Sequence, residues 1–125
     1  MEREESSQID PSRKTLLFVY GTLLRGQRNH HFLGGSEFIA AVRTAPVYRL
    51  VSLGSFPALR EAGNHSIPGE LYAVSNTVLL RCDALEGHPH FYLRRHIELA
   101  DGRRPVSYVL PPDRHPQART IKHWP

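Results

Sequence analysis

The chain has 125 residues, which at roughly 100–200 residues per domain makes a single domain, large enough to bury a core without disulfide or metal staples. Hydrophobic residues make up 40% and charged residues 22%, and no run of about 18 apolar residues occurs, so the composition excludes both a disordered polymer and a helical membrane protein. Lys and Arg number 16 against 12 Asp and Glu, and the basic residues fall as singles and pairs among acidic ones, the pattern of a solvated surface rather than a nucleic-acid face.

Residues 1–14 are polar and charged and contain Pro11, the pattern of a mobile leader without the apolar core of a secretory signal. Residues 16–20, LLFVY, form a continuous apolar run of strand formers, which predicts a strand buried on both faces. Gly21 ends it. A short helical turn is expected over residues 28–33, stopped by Gly34 and Gly35. Residues 37–44 and 47–51 read as strands separated by Pro46. Residues 54–59 read as a turn and a short edge strand, because Pro57 cannot donate to a ladder, and residues 61–64 as a turn. Residues 67–74 alternate and predict a further strand, with Pro68 arguing for an edge position.

The best-marked element is a helix. Ser75 is its N-cap, Val78, Leu79, Cys82 and Leu85 recur at helical spacing, Gly87 stands at the C′ position and Pro89 prevents continuation. Residues 91–99 and 106–110 predict strands joined through Asp101-Gly102, and residues 113–125 a polar tail. Six or seven short strands with one helix, no repeat and no second domain argue an α+β domain over residues 15–112, built on a largely antiparallel sheet or barrel.

Few residues suggest chemistry. In Tyr20-Gly21-Thr22-Leu23 a buried strand runs into a glycine and a small hydroxyl residue. Glycine permits positive φ, and successive backbone N–H groups there can form a nest for an anion. The same tetrapeptide also reads as a plain strand-ending turn. Glu86 falls in the last turn of the predicted helix, where the dipole disfavours a carboxylate by about 0.3–1 kcal/mol. Burial would add to that and raise its pKa toward the range of a general acid or base; full exposure would leave it an ordinary surface glutamate. Asp83, three residues earlier, either raises the Glu86 pKa further or is solvated. The eight histidines include no His-Glu-x-x-His pair, and no metal site is expected. Cys82 lies on the apolar stripe and reads as a small hydrophobe; a lone cysteine forms no intrachain disulfide, which fits a reducing cytoplasm. Tyr20, Tyr72, Tyr92 and Tyr108 fall in or beside predicted strands, as core residues or as the ring of a pocket.

The ordered set of motifs resembles the gamma-glutamylcyclotransferase-like family, in its AIG2-like and gamma-glutamylamine cyclotransferase branches. The stretches are residues 17–26 (LFVYGTLLRG) with Asn29-His30, residues 56–59 (FPAL), residues 69–74 (GELYAV), residues 83–94 (DALEGHPHFYLR) and residues 106–108 (VSY). The resemblance implies a small mixed, largely antiparallel β-barrel with one main helix packed against it. It implies cyclisation of a γ-glutamyl group to 5-oxoproline with release of an amine or amino acid, on a small-molecule γ-glutamyl substrate and without metal or organic cofactor. Carried onto this sequence, Glu86 is the acid/base, the backbone of Tyr20, Gly21, Thr22 and Leu23 holds the γ-glutamyl moiety, and Tyr92 and Tyr108 line the site. A non-catalytic domain of the same fold that binds a small carboxylate or a protein is the alternative, and retention of Glu86 together with the Tyr-Gly-Thr loop favours the enzyme.

Overall fold

The computed structural model describes residues 13–125, so all but the last two residues of the expected leader lie outside the described residues. The strands are β1 (Thr15–Val19), β2 (Glu37–Arg43), β3 (Tyr48–Ser52), β4 (Pro57–His65), β5 (Pro68–Val74), β6 (Leu93–His96), β7 (Val106–Val109) and β8 (Thr120–Ile121). One α-helix, α1 (Asn76–Glu86), and one 3-10 turn (His30–Leu33) complete the chain. The strands form one mixed sheet in the order β2-β5-β1-β7-β4-β3-β8, with β6 added beside β7. Only β1 with β7 and β4 with β7 are parallel; the other pairings are antiparallel, as the sequence predicts. The sheet is open, ending on β2 and β8, rather than closed as a barrel. No helix among the described residues is long and apolar enough to cross a membrane.

The alternation of side chains along β1 explains its unbroken apolar run. Leu17 and Val19 join one core cluster, with Leu79 and Cys82 of α1, while Phe18 and Tyr20 join a second, with Leu50, Leu59, Leu71 and Val109. A strand that feeds two cores has no face left for polar residues.

Four local readings change in three dimensions. β4 is an interior strand between β3 and β7, with Pro57 as its first residue, where a missing N–H does no harm. Residues 61–64 belong to β4, as an irregularity: the register passes from Arg49↔Arg60 to Tyr48↔His65 and leaves them outside the ladder with β3. Pro68 likewise opens β5, which lies between β2 and β1 rather than at an edge. In the segment read as a tail, β8 pairs with Leu50 and Val51 of β3, and buried Arg60 donates to the carbonyls of Pro111 and His115, both at 2.7 Å.

Candidate active site

The ends of β1, β4 and α1 meet around one cleft of about 240 Å³. β7 pairs with β1 near its start, Leu17↔Val106, and with β4 near its end, Leu59↔Val109. The neighbour of β7 on that side therefore changes from β1 to β4, and the loop after β1 leaves at the changeover. Tyr20 fills the fork. Its hydroxyl accepts from the Leu59 N–H at 3.1 Å and donates to the Tyr108 carbonyl at 2.6 Å. A parallel ladder through Leu59↔Val109 would join those two groups directly; here a phenol stands between them. Burial pushes the Tyr20 hydroxyl well above its ordinary pKa, so it stays protonated and keeps donating.

The loop beyond Tyr20 is held open from outside. Asn29 donates to Thr22 twice, from its backbone N–H to the carbonyl oxygen at 2.9 Å and from Nδ2 to Oγ1 at 3.0 Å. The Leu23 carbonyl meets His30 Nδ1 at 2.9 Å, and Glu70 of β5 accepts from the Arg25 N–H and the Tyr72 hydroxyl, both at 3.0 Å. Among the described residues, the N–H groups of Gly21, Thr22 and Leu23 donate to no backbone acceptor. All three residues line the cleft. Gly21 does not adopt positive φ. It is required for another reason: a Cβ there would lie 2.9 Å from Pro57 Cγ and 3.1 Å from Cδ.

On the opposite wall the termination of α1 fixes Glu86. Ser75 Oγ accepts from the Val78 N–H at 3.2 Å and starts the helix. Gly87, at φ 69° and ψ 32°, ends it. The Gly87 N–H reaches the Ala84 carbonyl and the His88 N–H the Asp83 carbonyl, a Schellman pair. The chain then doubles back, so that the Phe91 N–H meets the Gly87 carbonyl at 2.7 Å and the Tyr92 N–H the Glu86 carbonyl at 3.3 Å. Burial raises the Glu86 carboxyl from near 4.5 to about 7, and it is the one resolved cause. The charge of Glu86 in turn contributes to raising the Tyr20, Tyr92 and Cys82 hydroxyl and thiol pKa values.

Asp83 does not act on Glu86. Its Oδ1 accepts from the Tyr108 hydroxyl at 2.6 Å and its Oδ2 pairs with Arg94 Nη1 at 2.8 Å, which fastens α1 to β7 and β6. The Tyr92 hydroxyl donates to the Pro57 carbonyl at 2.7 Å. Tyr92 and Tyr108 both line the cleft, with pKa values raised chiefly by burial, so both stay protonated. The Cys82 thiol is fully buried and pushed up to about 12 mainly by burial, which makes it the small hydrophobe its place on the stripe suggests. His88 is occupied, its Nδ1 accepting from the Arg94 N–H at 2.9 Å.

The structure thus brings Tyr20, Gly21, Thr22, Leu23, Glu86, Tyr92 and Tyr108 together around one cavity. Sequence reasoning missed three residues. Glu70 and Asn29 brace the loop, and Arg28 lines the mouth of the cleft. For Glu70 a signal existed, since it is a lone acid within a strand of otherwise apolar residues.

Comparison with known proteins agrees with this arrangement. The family model described as gamma-glutamyl cyclotransferase, AIG2-like, matches residues 17–124. The "Putative gamma-glutamylcyclotransferase" of Vibrio cholerae is 42% identical over 87 residues, covering 70% of this chain and 75% of that protein. Human gamma-glutamylaminecyclotransferase is 36% identical over 116 residues, covering 77% and 70%. An AIG2-like protein of Mus musculus superposes with a TM-score of 0.78 at 25% identity, covering 90% of this chain and 89% of that one. The matched span runs from β1 through the loop, the helix and the last strand, and so contains every residue around the cleft: the chain belongs to the AIG2-like gamma-glutamyl cyclotransferase family.

Proposed function

We propose that the chain cyclises the γ-glutamyl group of a small molecule to 5-oxoproline and releases the attached amine, with Glu86 as general acid/base. The observation that carries the reading is a carboxyl group raised by burial to about 7, across one cleft from three backbone N–H groups that have no backbone acceptor among the described residues. The names of the relatives above support the reaction class.

The chemistry asks little beyond these groups. Nucleophile and electrophile belong to one molecule, and holding them in a folded conformer is worth roughly 7–11 kcal/mol. The α-ammonium of the substrate gives a proton to the Glu86 carboxylate. The free amine then adds to the γ-carbonyl carbon and closes a five-membered ring. As the amide C–N bond breaks, Glu86 returns its proton to the departing nitrogen. The ring nitrogen sheds its remaining extra proton, which the released amine takes up. A carboxyl poised near pH 7 serves both as base and as acid. The amides of residues 21–23 hold an anion of the substrate, each such donor typically contributing about 2.7–4 kcal/mol when it meets an oxyanion. A reducing cytoplasm is the compartment we propose, in keeping with the single unpaired Cys82.

The deciding assay compares wild type with Glu86→Gln on a panel of γ-glutamyl compounds, scoring 5-oxoproline by mass. At least one compound is turned over, and Glu86→Gln loses about 10²-fold or more. In wild type kcat/KM rises as pH passes about 7, where Glu86 becomes a carboxylate, and this limb is absent from the variant. A fully active variant would overturn the role of Glu86. Wild type that releases no 5-oxoproline from any compound would overturn the reaction and favour a non-catalytic carboxylate-binding domain.

A further inference from the structure

Arg28 stands at the mouth of the cleft, and the ring-closing steps proposed for Glu86 make no use of it. It lines the cavity, yet the residue is exposed. Its Nη1 and Nη2 both lie 3.3 Å from one acceptor, the Ser55 carbonyl oxygen. That contact is long and shared, and it leaves most of the five guanidinium N–H donors unused. Arg94, Arg95 and Arg103 each have a carboxylate oxygen within 2.7–2.9 Å; among the described residues Arg28 has none. Of the Asp, Glu, Lys and Arg residues among those described, only Glu86 and Arg28 line the cleft. Phe56, next in sequence to Ser55, and Phe91 give the cleft apolar walls, with their rings 6.5 Å apart. A half-apolar passage with one cation at its lip suits a short chain that ends in an anion.

Depth decides which end of the substrate meets it. Gly21 and Leu23, whose amides are uncommitted, are buried, and so is most of Glu86. The glutamyl unit that closes into a ring belongs there, so the leaving group extends outward past Arg28. Resting on the cyclotransferase reading, we propose that Arg28 selects among leaving groups: it binds a carboxylate on the leaving group and disfavours a leaving group that carries positive charge there. A guanidinium receives a carboxylate through two parallel N–H···O bonds. The same cation repels an amine that carries positive charge.

Two compounds isolate that charge: γ-glutamyl-L-alanine and γ-glutamyl-L-alaninamide, which differ only in carboxylate against carboxamide. Binding is measured by titration calorimetry on Glu86→Gln, and turnover on the native enzyme. Glu86→Gln binds the carboxylate compound about tenfold more tightly, equal to about 1.4 kcal/mol, and the preference shrinks as salt is raised. Adding Arg28→Gln brings the ratio to within about twofold. If Arg28→Gln weakens both compounds alike, Arg28 holds the glutamyl part and the proposal falls; a tenfold ratio that survives Arg28→Gln also overturns it. Discrimination in binding with no 5-oxoproline from the native enzyme upholds the carboxylate site and removes the cyclotransferase reading. Turnover of both compounds without discrimination does the reverse. If neither compound binds nor turns over, both readings fall.

Discussion

At Tyr20 a side-chain hydroxyl does the work of a backbone hydrogen bond. It joins Leu59 N–H to the Tyr108 carbonyl, one rung beside the direct bond from the Leu110 N–H to the Leu59 carbonyl that pairs β7 with β4. Tyr20→Phe removes the oxygen and leaves both groups buried across the gap it filled. The expected cost is about 1–3 kcal/mol, read as a lower urea midpoint at unchanged slope. Gly21 is constrained by contact rather than by dihedral angle. In Gly21→Ala the new methyl would sit 2.9 Å from Pro57, so the loop must shift and carry its three amides with it. A displacement of about 1 Å in a positioning group can cost about 10²-fold in rate. Gly21→Ala is therefore expected to fold, by circular dichroism, while kcat/KM drops by that order. The sequence marks Tyr20 and Gly21 as special, but not why, because both reasons lie in β4, nearly forty residues away in the chain.

Helix α1 shows what local sequence can encode. Its cap, its apolar positions and its terminating glycine are all local, so both its limits and the placing of Glu86 were legible. The strands that were misread depend on partners distant in sequence. β4 hides behind a proline at its start and an irregularity at residues 61–64, and only pairing with β3 and β7 makes it an interior strand. β8 is two residues long and exists because Leu50 and Val51 present an edge to it. For the site, the residue types around the cleft were legible, whereas the braces were not read: Glu70 showed only as a lone acid in an apolar strand, and the bonds of Asn29 to Thr22 leave no periodic trace. Asp83 belongs with these. It ties α1 to Tyr108 and Arg94, each held to it within 2.8 Å. Asp83→Ala leaves both without their acceptor, and thermal unfolding is expected to report a loss of about 2–3 kcal/mol.

For the molecule as a whole, the site has a cost that depends on pH. Glu86 has an ordinary pKa near 4.5 when the chain is unfolded and about 7 when it is folded. Between these values the unfolded chain loses the proton that the native protein keeps. Rising pH therefore favours unfolding across this window, and the penalty is complete above about 7. Below about 4.5 both states are protonated and the penalty vanishes. Its ceiling, from a shift of this size at about 1.4 kcal/mol per pH unit, is about 3 kcal/mol, and partial solvent access lowers it. Glu86→Gln keeps the shape of the protonated acid and cannot ionise. Urea titrations should find the variant more stable than wild type at pH 8, by as much as about 3 kcal/mol, and close to it at pH 4.5. Equal stability at both pH values would mean that Glu86 ionises in the native protein as freely as in water, and the carboxyl would lose its fitness as an acid/base near neutral pH. A single substitution thus reads both sides of the arrangement: the burial that lifts the Glu86 carboxyl to about 7 is the burial that destabilises the folded chain above that pH.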